Sequence, residues 1–164
     1  CLYIVGETKD EMGASLLFRK FGGKEGQVPG VDVPALKRKM DSLLKAMDKG
    51  LVLSCHDCSD GGLAVAVAEM CISGQIGAEI DLTAVGDMDI KAKLYSESNS
   101  RWIAEVDGKD AEAFEKILGE DAICIGITKG DSLKVKGTKI DLPVNEMRKA
   151  WNEPMWKLMG GASE

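Results

Sequence analysis

The sequence predicts a domain of the α/β or α+β class, a mixed β-sheet with helices packed on it. Roughly six or seven short apolar or alternating runs are interleaved with roughly four or five stretches of helical periodicity, so strands and helices share one layered core. The last two runs, 133–135 and 139–142, flank Lys136-Gly137-Thr138 and read as a hairpin, which makes the sheet mixed. A chain of 164 residues, 45% hydrophobic and 29% charged, suits one globular domain with a substantial core.

Taken in order, Leu2-Tyr3-Ile4-Val5 is a first strand and 6–11 a polar loop. Residues 12–21 carry Gly13, Ala14 and Ser15 ahead of Leu16, Leu17 and Phe18, either a short helix or an apolar surface segment. The glycine-rich stretch 22–30 is a loop and the most flexible interior segment. Asp32 is placed to cap a helix with Pro34 in its first turn; Leu36, Met40, Leu43, Leu44 and Met47 then recur at helical spacing up to Gly50. Leu51-Val52-Leu53 reads as a buried strand running up to His56, and 63–72 is too long and continuously apolar for anything but a buried helix.

Beyond the turn at 73–77, residues 78–82 alternate as a strand, 90–94 form a turn of helix, and 101–106 form another strand. Ala111, Phe114, Ile117 and Leu118 mark an amphipathic helix closed by Gly119. Residues 122–127 place isoleucines on one face and small residues on the other, the pattern of a strand covered on both sides. Pro143 opens a last helix with Val144, Met147 and Trp151 on one stripe, and the tail from Gly160 is loose. No repeat or composition shift divides the chain, so residues 1–164 read as a single domain.

A net charge of −6 and a pI near 4.9 exclude a nucleic-acid partner, which needs a basic stripe. The densest basic run, Lys37-Arg38-Lys39, reads as a solvated helix face. No run approaches the ~18 apolar residues of a membrane span, and the N-terminus has no signal-peptide pattern. It also lacks an initiator Met and opens directly into a strand, as expected of a fragment of a longer protein. Five cysteines, an odd number, do not make a disulfide framework; Cys71 and Cys124 sit in apolar runs as reduced core residues, and a cytoplasmic location follows. Cys55 and Cys58 have C-x-x-C spacing but no second ligand pair, so no metal centre is expected.

Chemistry concentrates in His56-Asp57-Cys58-Ser59-Asp60-Gly61-Gly62-Leu63, between the strand and the apolar helix. A helix N-terminus offers unpaired amides and a positive dipole end, and glycines let a ligand approach the backbone, so this corner can hold a phosphate. On the plainer reading, Ser59 or Asp60 caps the helix and Gly61-Gly62 permits tight packing. A second polar cluster, Ser96-Glu97-Ser98-Asn99-Ser100-Arg101, precedes the strand at 101–106: Glu97 can orient a hydroxyl or amine, Asn99 an amide, Arg101 a phosphate. It also reads as a solvated turn. Residues 6–15 are a third candidate. No nucleophile elbow, Walker A loop or dinucleotide fingerprint is present.

Taken together, Gly6-Glu7-Thr8-Lys9-Asp10-Glu11-Met12-Gly13-Ala14-Ser15, the His56 to Leu63 run, and Leu94-Tyr95-Ser96-Glu97-Ser98 ahead of Arg101 resemble the C-terminal domain of the aminoimidazole ribonucleotide synthase superfamily. Within it the chain is most similar to the second such domain of the phosphoribosylformylglycinamidine synthase family. The resemblance covers essentially the whole chain. It implies the superfamily's mixed sheet and an ATP- and magnesium-dependent step, in which ammonia from a separate glutaminase converts formylglycinamide ribonucleotide to its amidine. It implies as partners the N-terminal synthetase domains and the glutaminase subunit, with no nucleic acid and no membrane. The residues it points to are ligand-proximal rather than catalytic or metal-binding: His56, Asp57, Ser59, Asp60, Gly61, Gly62, Glu97, Ser98 and Asn99. Asn99 departs from the family's glutamine. No cofactor is expected on this domain alone, which by itself is expected to be inactive. The alternatives are a non-catalytic lobe of the same enzyme, or the equivalent domain of aminoimidazole ribonucleotide synthase, selenophosphate synthetase or a hydrogenase-maturation dehydratase.

Overall fold

The computed structural model describes residues 1–23 and 26–160. The strands among them are β1 (Leu2–Val5), β2 (Ser54–Asp57), β3 (Ala78–Ile80), β4 (Trp102–Glu105), β5 (Ala122–Thr128), β6 (Ser132–Val135) and β7 (Asp141–Pro143). They form one sheet in the order β2-β4-β1-β5-β3-β6-β7. Every pairing is antiparallel except β3 with β6. The sheet is therefore mixed, but the crossover from β3 to β6 supplies the parallel pair, while the β6–β7 hairpin is itself antiparallel.

The helices are α1 (Leu16–Phe21), α2 (Val33–Asp48), α3 (Gly62–Gly74), α4 (Ile90–Tyr95), α5 (Ala111–Leu118) and α6 (Val144–Leu158). Local chemistry starts three of them. The Asp32 carboxylate accepts from the Ala35 amide at 3.0 Å with Pro34 in the first turn, Ser15 caps α1, and Asp89 caps α4.

Period-two alternation in β1 feeds two cores. Leu2 and Ile4 enter the one beneath α3, with Leu63, Val67, Ile103 and Ile125. Tyr3 and Val5 enter the one beneath α2 and α5, with Leu43, Ala104 and Leu118, where the Tyr3 ring meets Phe114 at 5.0 Å. On the second face the partners of this core come from β1, β2, β4 and the start of β5.

Four expectations are corrected. The strand before the motif is Ser54–Asp57, not 51–53: its ladder with β4 starts at Ser54↔Glu105, and Leu53 is 63% exposed. Pairing along a half-covered sheet edge outweighs the apolar content of the three preceding residues. β5 is not covered on both sides. A register shift opposite Leu2/Tyr3 inserts an extra residue at Ile125, so Ile127 joins Cys124 on the face away from α3, and both are exposed. Cys124 is thus no core residue, whereas Cys71 is. Finally, the basic run is not uniformly solvated: Lys37 and Arg38 are exposed and pair with Asp41 and Asp121, while Lys39 is buried. The flexibility expected at 22–30 and the loose tail rest partly on residues 24–25 and 161–164, outside the described residues.

Candidate functional site

The three polar stretches converge on Glu97. One oxygen of its carboxylate accepts from the Leu16 amide at 2.7 Å and from the Gly61 amide at 2.8 Å. It therefore sits at the starts of both α1 and α3, where the amide ends favour negative charge. The corner that an external anion would enter is thus already served by a carboxylate of the protein. An external phosphate there would compete with Glu97.

Arg101 joins the same loop to residues 6–11. It is 1% exposed, and its guanidinium donates to Ser98 O (2.9 Å), Thr8 Oγ1 (3.0 Å) and Ser96 O (2.5 Å). Burial lowers its pKa, opposed by the neighbouring Cys58 thiol and the Glu11 and Glu97 carboxylates. The Ser96 hydroxyl donates to Lys9 O at 2.6 Å and accepts from the Ser98 hydroxyl at 2.8 Å. The Lys9 amide in turn donates to Ser98 Oγ at 3.1 Å. Buried polar groups satisfied in this way hold one arrangement of the two loops.

Gly61 and Gly62 both have positive φ, +83° and +66°. What approaches Gly62 is not a ligand but the backbone of residues 94–96: a Cβ there would stand 3.0 Å from Leu94 O and overlap the Ser96 carbonyl oxygen. Close packing explains the pair. No side chain caps α3; Gly61 is its N-cap, and the Gly62 amide donates to Ser59 O.

The remaining motif residues scatter. Alternation along β2 turns Ser54 and His56 toward α3 and Cys55 and Asp57 to the other face. His56 bonds Glu69 of α3 through Nε2 at 2.6 Å, away from Glu97. The corner therefore does not gather the histidine with the other polar groups. Its partner was visible as the only charge in the apolar run 63–72, one long helical span after His56. Asp57 takes a hydrogen bond from the Ser59 hydroxyl, which lowers its carboxyl pKa. Asp60 is exposed and pairs loosely with Arg19 at 3.6 Å. Asn99 is exposed, its amide 3.3 Å from Gly30 O. Ser59, Asp60 and Asn99 form an exposed rim; Gly61, Gly62, Glu97 and Ser98 hold it in place.

Magnesium finds no fit here. Asp57 and Asp60 are committed separately, and among the described residues no three His, Cys, Asp or Glu side chains are grouped to hold a metal ion. Cys55 and Cys58 belong to different cores, and burial pushes both thiols up to about 11.

Fold and corner together define a layered mixed-sheet domain whose glycine corner is braced by the loop before β4. The chain belongs to the family described as AIR synthase related protein, C-terminal domain, whose model matches residues 1–137. It is similar to the phosphoribosylformylglycinamidine synthase subunit PurL of Lactobacillus delbrueckii subsp. bulgaricus, 38% identical over 163 residues, which cover 96% of this chain and 21% of that subunit. The subunit of the same name from Methanocaldococcus jannaschii is 36% identical over 167 residues, covering 97% and 22%. The chain thus spans about a fifth of the length of these curated relatives. Among solved structures, T. maritima PurL complexed with FGAR shares the fold with a TM-score of 0.76 at 20% identity, over 90% of this chain and 27% of that one. E. coli HypE, a hydrogenase maturation protein, gives 0.61 at 18% identity, over 87% and 47%. No helix among the described residues is long and apolar enough to cross a membrane.

Proposed function

We propose that this chain serves as the second C-terminal domain of a phosphoribosylformylglycinamidine synthase, the cytoplasmic ligase that converts formylglycinamide ribonucleotide, ATP and ammonia to the amidine. The observation that carries the reading is identity of 36–38% to PurL subunits over nearly the whole chain. T. maritima PurL structures complexed with FGAR, ATP and ADP, and a PurLQS structure, share this fold and support the ligands and the subunit partners. In this reading Ser59, Asp60 and Asn99 face substrate or a neighbouring domain across the rim. Gly61, Gly62, Glu97 and Ser98 position that rim, and His56 braces β2 against α3. The domain takes no part in holding magnesium, which belongs with the N-terminal synthetase domains.

Amidine formation, followed as phosphate release with formylglycinamide ribonucleotide, ATP and ammonia, is expected to be absent for this chain alone. It is expected to appear when the chain is joined to the preceding domains of a PurL subunit. Turnover by the chain alone overturns the assignment of chemistry to the other domains; an inert joined protein overturns the ligase reading. If the corner also holds an anion, phosphate or ADP raises the melting temperature with concentration, more strongly in Glu97→Gln, where the competing charge is gone.

A further inference from the structure

A cleft of about 530 Å³ lies at the opposite end of α3 from the Gly61-Gly62 corner. That volume suits a small molecule. Leu2, Val67, Met70 and Ile76 supply apolar walls, and Trp151 of α6, 57% exposed, stands at the mouth. The polar groups are the carboxylates of Glu69 and Glu105, the His56 imidazole and the hydroxyls of Ser54, Ser73 and Thr128. Glu105 accepts from Ser54 Oγ at 2.9 Å and from Thr128 Oγ1 at 3.0 Å, one bond on each oxygen. Glu69 accepts from or shares a proton with His56. Among the described residues no lysine or arginine lines the cleft.

We propose that this cleft binds a small organic cation with an apolar body, an amidinium, guanidinium or amine on a flat or aliphatic frame. A phosphate would meet two carboxylates, with no lysine or arginine to offset them and the one imidazole already engaged by Glu69. A planar cation instead finds the remaining lone pairs of Glu105, which suit paired N–H donors. Its frame replaces water against the apolar walls, and Trp151 offers an aromatic face to its charge. The inference is independent of the ligase reading, because it uses neither the corner nor the residues around Glu97.

Benzamidine is the probe, titrated into this chain and followed by the Trp151 indole resonance and by thermal shift. The expected result is a saturable movement of that resonance with a rise in melting temperature, and neither with benzoate, which has the same frame and opposite charge. Glu105→Gln is expected to weaken binding about ten-fold or more. Should that variant fail to fold, the exposed Trp151→Ala is expected to weaken it about two- to five-fold while keeping the melting temperature of the free chain. No saturation at millimolar benzamidine, an equal response to benzoate, or full affinity in the variant tested overturns the proposal. Binding to this chain that disappears when the preceding PurL domains are joined to it also overturns it, and gives the cleft to a cationic side chain of those domains.

Discussion

Replacing Arg101 by lysine tests what holds the candidate site together. The arginine fork reaches Thr8 Oγ1, Ser96 O and Ser98 O in three directions from a position 1% exposed. A lysine ammonium keeps the charge but ends in a single atom, so at least two of these acceptors lose their donor. Each buried group left unmet costs about 1–3 kcal/mol, which puts Arg101→Lys near 4 kcal/mol. That is a large fraction of the ~5–15 kcal/mol stability of an ordinary domain. At roughly 2–4 °C per kcal/mol for a chain of this size, the melting temperature falls by about 8–16 °C. Urea unfolding followed by circular dichroism gives the free energy, with Asn99→Ala as the control. Asn99 is exposed and holds one long bond to Gly30 O, so its loss costs no more than about 0.5 kcal/mol. Hydrogen exchange adds a local readout: the Lys9 amide, bonded to Ser98 Oγ, loses protection in Arg101→Lys but not in Asn99→Ala. A lysine variant within about 1 kcal/mol of the parent, with Lys9 still protected, refutes the argument that the guanidinium joins the two loops.

Glycine substitutions separate backbone strain from close approach. Gly50 and Gly62 have nearly the same φ, +70° and +66°, but a Cβ at Gly50 meets nothing within 4 Å. Gly50→Ala therefore costs about 1–2 kcal/mol, and Gly62→Ala about 1–3 kcal/mol more; equal losses in calorimetry contradict the packing seen around residues 94–96. Glu97→Gln keeps an acceptor for the Leu16 and Gly61 amides and loses only the charge, at about 0.5–2 kcal/mol. Glu97→Ala strands both amides and costs about 2–4 kcal/mol, so denaturation midpoints that coincide for the two variants dismiss the double bridge. The thiols of Cys58 and Cys71 are buried and pushed from 9.0 up to about 11. Between those values the unfolded chain releases protons that the folded chain keeps, so stability is whole below pH 9 and declines as pH rises toward 11. The double variant Cys58→Ala, Cys71→Ala reduces that decline by on the order of 2–3 kcal/mol per thiol and leaves the share of the half-buried Cys55 thiol; an unchanged slope rules out the buried thiols as its source.

Much of the architecture was legible because it is written in neighbouring residues. Asp32, Pro34 and the spacing to Leu43 define α2; Phe114 and Leu118 define the buried side of α5; the closing hairpin and the apolar helix after Gly62 follow from turn chemistry and run length. The family itself was readable from three short motifs. Local pattern could not reveal that β2 starts at Ser54, because its partner β4 sets that limit, nor that an extra residue in β5 would turn Ile127 to the outside. It also marked His56, Glu97 and Arg101 as polar without saying whom they meet. Those partners lie 13 residues away for His56, 36 and 81 for Glu97, and up to 93 for Arg101. Periodicity encodes which side of an element avoids water. Which hydrogen-bonding groups then face each other is decided only when the strand order and helix layers close, since a group leaving water takes whichever partner that closure brings within reach.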